Sequence, residues 1–305
     1  MIKRLQIYIR EMFPLKIYVP FAFLNHYVLF FAVQLCIGAH TLQLSTYSLI
    51  GVCTILGFML IMRVFDELKD EEVDKQLFAH RPYPRGDVKK EDLVILGVLS
   101  FVLVCLLNLL RDYTLPFFLL CVFYGFLTYK WFFMQKIISK NLLLALVTHQ
   151  PLTLLVNIYV ATTAMVQTHH IVWNWMVMLS AFIFFLPVLA WEISRKIKAE
   201  GNENAYVTYS KLFGSKLAAG FNYVILLGFS LSLMFLAHRF DFALWHQVLQ
   251  CLILFITSYI YFRFIRQPIE KHLVLKKATE ILPSLASIVF LVGIILSKGI
   301  QFSWF

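Results

Sequence analysis

The chain has 305 residues, 60% of them hydrophobic and 14% charged, with a formal net charge of +10 and a mean hydropathy of +0.77. Soluble domains carry about 25% charged residues, so a soluble enzyme or a nucleic-acid-binding module is excluded, and the positive balance reads as membrane topology and attraction to anionic headgroups. Cys36, Cys53, Cys105, Cys121 and Cys251 lie in or beside apolar segments without CxxC spacing, and imply neither zinc nor a disulfide framework.

Apolar segments long enough to span a bilayer follow one another at 14–38, 43–62, 92–110, 114–134, 141–162, 171–190, 217–237, 243–262 and 281–300. The connections are too short for a soluble domain, so the pattern predicts one all-α, polytopic membrane domain over residues 1–305 with nine transmembrane helices. The basic residues test that count. With nine spans, all 27 lysines and arginines except Arg111, Arg239 and Lys298 fall on one side, which the positive-inside rule makes the cytoplasm. The N-terminus is therefore expected inside and the C-terminus outside, with a bacterial inner membrane as the expected location. The first apolar segment is long enough to span and ends in no small-residue cleavage pattern, so it is expected to be a helix and not a signal peptide.

After the second span comes Arg63-Val-Phe-Asp66-Glu67-Leu-Lys-Asp70-Glu71-Glu72-Val-Asp74. Asp66, Asp70 and Asp74 lie four apart, which predicts one helix face over about two turns. Like charges at that spacing cost roughly 0.2 to 0.5 kcal/mol per pair, and a divalent cation reverses the sign. Mg²⁺ prefers carboxylate oxygens, usually one or two of them completed by waters and substrate phosphates. The expectation is a Mg²⁺-bridged diphosphate site with Asp66, Glu67, Asp70 and Asp74 as ligands and with Asp70 and Asp74 indispensable to catalysis. The plain alternative is a solvated loop neutralised by its own bases. The following turn, His80-Arg81-Pro82-Tyr83-Pro84-Arg85-Gly86, is stiffened by two prolines, and Arg81 and Arg85 suit bidentate contact with phosphate oxygens.

A second charged segment follows the sixth span, with Glu192, Lys196 and Glu200 again four apart and Arg195 and Lys198 between them. Both segments are expected on the same side of the membrane, where an antiparallel bundle can bring them together over a central cavity. There Arg195, Lys196 and Lys198 would neutralise a polyanionic leaving group, and Glu192 and Glu200 would form a weaker second ligand set. The alternative is a charged helix end reaching for the interface. Polar residues inside or at the ends of spans, Asn25, His26, Tyr124, Tyr129, Lys130, His149, Gln150 and Asn157, either orient a substrate or bond helix to helix. No pair of short spans interrupted by Gly or Pro, the mark of many transporters, is expected.

The two segments resemble the paired aspartate-rich motifs of the UbiA-type intramembrane prenyltransferases. The first motif of that family runs Asn-Asp-x-x-Asp-x-x-x-Asp before an Arg-Pro-x-Pro-x-Gly turn; Asp66 stands at the Asn position, Glu67 at the first Asp, Asp70 and Asp74 match, and residues 81–86 fit the turn. Arg10 with Pro14, and Tyr209-Ser210-Lys211-Leu212-Phe213-Gly214, are also family-like. The second motif departs, because Lys196 occupies a position that aspartate holds in the family, and a protonated lysine ligates no metal. The resemblance implies a UbiA-like bundle and Mg²⁺-dependent transfer of a prenyl group from a polyprenyl diphosphate to a small acceptor, commonly an aromatic quinone precursor. It also implies Arg10, Arg81, Tyr129, Lys130 and Arg195 as substrate-binding residues and Lys196 as a catalytic charge in place of a second cation. A terpene cyclase, which needs no acceptor, and a non-catalytic lipid-binding or transport protein are the alternatives on the same scaffold.

Overall fold

The computed structural model describes residues 1–109, 111, 113–202 and 207–303. A short helix α1 (Ile2–Met12) precedes Pro14, which caps α2 (Leu15–Cys36) from outside. A strand β1 (Leu42–Ser45) leads into α3 (Ser48–Lys69), followed by α4 (Glu71–Leu77), α5 (Lys90–Asn108) and α6 (Leu115–Tyr129). A distorted turn and α7 (Gln135–Ile138) lead to α8 (Leu142–His149) and α9 (Pro151–Gln167), then α10 (Trp175–Ile183) and α11 (Leu186–Ser194). The chain continues through α12 (Tyr209–Phe213), α13 (Ser215–Arg239), α14 (Leu244–Arg266) and α15 (Leu275–Lys298) to β2 (Ile300–Ser303).

Among the described residues, eight helical segments are long and apolar enough to cross a membrane, counting α8 with α9 and α10 with α11 as one each. The expected span at 114–134 is represented by α6, which has 15 residues and reaches about 22 Å at 1.5 Å per residue, short of a hydrocarbon core of about 30 Å. Its chain stops where Trp131, Phe132 and Phe133 take left-handed φ values of 49°, 50° and 58°, a conformation that ends an α-helix. The expectation of unbroken spans is also corrected. The fifth and sixth spans are interrupted before Pro151 and Pro187, because proline lacks the N–H that a continuous helix needs and stands instead in the first turn of a new one.

The main apolar core joins α2, α6, α9, α13 and α15 through Phe30, Phe118, Tyr159, Phe229 and Phe290. Facing away from it, Leu99, Leu103 and Leu106 of α5 are mostly exposed, as suits a helix wall against lipid tails. Polar bonds register the helices within this core. Tyr159 donates to Asn108 at 2.6 Å, Asn108 donates to Thr54 at 2.8 Å, and Arg111 donates to Tyr159 at 3.2 Å. Asn157 donates to the Ala181 carbonyl at 2.8 Å and Tyr124 to the Thr148 carbonyl at 2.9 Å, so these two tie helices together. The strands pair in parallel, Leu42 opposite Ile300, and Gln34 anchors β1 by accepting from the Gln43 N–H at 2.7 Å and donating to its carbonyl at 2.8 Å.

A separate small core lies under α1, where Tyr8 is fully buried against Val64, Val88 and Leu93. Burying such a ring is worth about 2 kcal/mol. It fixes one face of the amphipathic α1 against the start of the first charged loop.

Candidate active site

The first carboxylates sit on the last turns of α3 and the first of α4. The second span runs to Lys69, seven residues past its expected end at 62, so Asp66 and Glu67 are part of the spanning helix. Hydrogen bonds from the Asp70 N–H to Asp66 and from the Asp74 N–H to Asp70, at 3.0 and 2.9 Å, keep the four-residue register. The helix nonetheless bends at Asp70, whose φ of −102° and ψ of 15° lie outside the α range. The single straight face expected from the spacing is therefore folded in two, and its members meet different fates.

Asp66 is about half exposed and pairs with Lys69 at 2.9 Å. Glu67 is buried and paired to Arg63 four residues earlier, with its second oxygen buried and unpartnered among the described residues. Asp74 is buried and paired to Arg81 at 2.8 Å, so the Arg-Pro turn folds back onto the end of its own motif. Asp70 carries no ion pair among the described residues. Burial pushes its carboxyl up to about 6, helped by the charges of Asp66 and Asp74 and opposed by Lys69 and Lys196. The charge of Lys196, on the second charged loop, thus reaches the Asp70 carboxyl. The neighbouring Glu71 behaves oppositely: partly buried and bonded to Lys75 and Lys90, its carboxyl is pulled down to about 2, chiefly by Lys75.

The second loop holds its acids in another way. Arg195 grips Glu192 with two bonds of 2.6 and 2.7 Å, and Lys196 adds a third contact at 3.0 Å. Glu200 is exposed, with its N–H on the Pro268 carbonyl at 2.9 Å. The expected second ligand set of Glu192 and Glu200 does not converge, since two cations saturate the one carboxylate and the other points to solvent. No group of three His, Cys, Asp or Glu poised to hold a metal occurs among the described residues. The loop backbone is pinned by the segment after it. The Lys198 N–H donates to Ser210 Oγ at 2.8 Å, Ser215 donates to the Lys198 carbonyl at 2.7 Å, and the Tyr209 N–H donates to the Lys196 carbonyl at 3.0 Å. Gly214, at φ +82°, makes the turn that lets Ser215 reach back.

Tyr129 stacks on Phe65 at 4.4 Å, and the Lys130 ammonium sits 4.9 Å over the Tyr129 ring, which packs the end of α6 against the last turns of α3. Lys69 extends over Trp131 at 4.9 Å, and Trp131 meets His149 edge-on at 5.0 Å. Arg10 does not join this group. It lies two residues from Tyr8, nearly opposite on the helix, with a side chain 77% exposed. Sequence reasoning missed Lys69, Arg63 and Tyr8; the i, i+4 spacing of Arg63 and Glu67 was the available signal for one of them.

Comparison with known proteins places this geometry. The UbiA prenyltransferase family is matched over residues 17–274. The structure of a digeranylgeranylglyceryl phosphate synthase superposes with a TM-score of 0.66 at 17% identity, over 96% of this chain and 99% of that one. An apo UbiA homologue from Aeropyrum pernix K1 gives a TM-score of 0.64 at 13% identity, over 89% and 97%. At such identities these two likenesses concern the fold. No curated protein matches the sequence. With the family matched over most of its length and its membrane helices arranged as in two UbiA structures, the chain belongs to the UbiA prenyltransferase family.

Proposed function

We propose that the protein transfers a prenyl group from a polyprenyl diphosphate to a small acceptor within the membrane, the acceptor being an aromatic or quinone-precursor molecule. The observation that carries this reading is Asp70, a half-buried carboxylate without an ion-pair partner among the described residues, set between Asp66 and Asp74 and within reach of the charge of Lys196. Such a group is costly unless a cation arrives with the substrate.

The donor set fits Mg²⁺ in its usual mode, in which one or two carboxylates, waters and substrate phosphates complete the shell. Asp70 would hold it, with Asp66 and the free oxygen of Glu67 as neighbours; when bound, it neutralises charge developing on the leaving diphosphate. Asp74 positions Arg81, whose remaining N–H groups suit phosphate oxygens. Lys196 and Lys130 add positive charge from two other elements, so the allylic C–O bond can break with its electron pair going to diphosphate. The acceptor then supplies the pair for the new bond and loses a proton. Aromatic walls can shield the allylic cation by cation–π contact, and Tyr129, stacked on Phe65, is a candidate for one of them. The side carrying both loops is assigned to the cytoplasm.

A transport reading has one observation in its favour, the proline breaks before Pro151 and Pro187. Those breaks fall in consecutive spans, whereas transporter repeats place them at corresponding positions of two halves.

The test is diphosphate release by purified protein given farnesyl, geranylgeranyl or longer diphosphates, with and without Mg²⁺ and an aromatic acceptor. Release that requires Mg²⁺ and acceptor supports transfer, and release without acceptor points to cyclisation. Binding of the diphosphate with no release under any condition would overturn the enzymatic reading.

A further inference from the structure

One basic feature takes no part in the site described above. Where α1 turns into α2 at Pro14, a groove of about 580 Å³ opens, floored by Leu5, Ile9, Pro14 and Leu15 and flanked by Arg10 and Lys16. It lies at the edge of the first span, Leu15–Cys36, which is the headgroup level of the bilayer. Both cations are exposed, and the acid within reach of Arg10 is Glu11 at 3.5 Å, itself engaged by Arg85 at 3.1 Å. Ile2 and Leu15, 69% and 50% exposed, extend the apolar floor toward the lipid. Two cations at the rim of an apolar trough match a ligand with one phosphate and hydrocarbon chains beneath it.

The opposite face of the same helix holds the active-site scaffold. Tyr8 is buried on Val64 and Leu93 beside the Arg63–Glu67 pair, Arg4 grips Asp92 with bonds of 2.5 and 2.9 Å, and Glu11 reaches Arg85 of the proline turn. We propose that the groove binds the headgroup phosphate of an anionic phospholipid, with Arg10 and Lys16 on the phosphate and Leu5, Ile9 and Leu15 against the upper acyl chain. The bound lipid holds α1 down over the first carboxylate loop. Lipid binding here does not depend on the prenyl-transfer reading, so it is measured without turnover.

Native mass spectrometry of protein released from bilayers of equal phosphatidylglycerol and phosphatidylcholine provides the first measurement. Wild type retains phosphatidylglycerol in preference by about thirtyfold, the product of roughly fivefold from each cation. Arg10→Gln/Lys16→Gln loses that preference, while Lys271→Gln, an exposed cation elsewhere, keeps it. Equal retention of the two lipids by wild type, or an unchanged preference in the double variant, would overturn the site. Hydrogen exchange gives the second: in phosphatidylglycerol bilayers the amides of α1 exchange faster in the double variant than in wild type, and unchanged exchange would overturn the claim that the lipid holds the helix down.

Discussion

The two charged loops are similar in charge content and opposite in how they satisfy it. In the first, Asp66, Glu67 and Asp74 are each matched to one cation, and Asp70 between them is left over. In the second, one carboxylate takes two cations, and Glu200 faces solvent. On the proposed reading, the surplus half-buried carboxylate of the first loop would take a metal cation, and the second loop, whose Glu192 is saturated by Arg195 and Lys196, would contribute net positive charge. The difference teaches that a lysine within a ligand motif does more than remove one ligand. It also neutralises the neighbouring Glu192.

The sharpest way to break this contrast is Asp70→Asn, which removes the unmatched carboxylate. Diphosphate release in steady-state assays is expected to fall by about 10² to 10³, the usual scale for losing one charge-stabilising group. Next in size is pH. Because burial holds Asp70 near 6 instead of its ordinary 3.8, its ionised form disappears as pH falls through 6, and release is expected to drop about tenfold from pH 7 to pH 5, with Asp70→Asn showing a flatter profile. The stability consequence has the opposite sign: a raised folded pKa favours the folded state below 3.8, and that contribution is lost as pH rises through 6. In the absence of Mg²⁺, the wild-type melting temperature should decline over that window relative to Asp70→Asn.

Lys196→Gln tests the second loop and is expected to cost about fivefold in release, the scale of one charge interaction near a partly exposed site. Lys196→Asp should shift the Mg²⁺ dependence toward higher concentration. The smallest effect belongs to Glu192→Gln. It frees Arg195 and Lys196 without touching the first loop, so release should stay within about twofold, while stability should fall by about 1 to 3 kcal/mol because Glu192 is only 15% exposed and leaves two cations unpaired. A loss in Glu192→Gln as large as that in Asp70→Asn would mean that the two loops are equivalent.

Much of this arrangement was legible in the sequence because membranes impose strong rules. Long apolar runs located the membrane helices, whereas the count of nine drawn from the 27 basic residues meets eight spans and the shorter α6 among the described residues; the four-residue spacing of Asp66, Asp70 and Asp74 pointed to the candidate site. What escaped had local causes. The bend at Asp70 is a choice of two dihedral angles that spacing does not encode, so one expected ligand face became a paired rim around one open carboxylate. The strand β1 was absorbed into an expected span, although Leu42-Gln43-Leu44-Ser45 alternates with the strand period. Its partner β2 lies more than 250 residues away. Arg10 was assigned by resemblance alone, and helix periodicity places it opposite Tyr8. That the charge of Lys196 reaches Asp70 depends on tertiary structure, and no reading of spacing within one loop could have supplied it.

The central claim is that the first loop alone supplies the metal ligands. The direct measurement is Mn²⁺ binding, as a paramagnetic stand-in for Mg²⁺, followed by electron paramagnetic resonance in protein loaded with an unreactive farnesyl thiodiphosphate. The account predicts that Asp70→Asn weakens binding by at least about tenfold, the value of roughly 1.4 kcal/mol, and that Glu192→Gln/Glu200→Gln binds as wild type. Wild-type affinity in Asp70→Asn together with lost affinity in the double variant would contradict it.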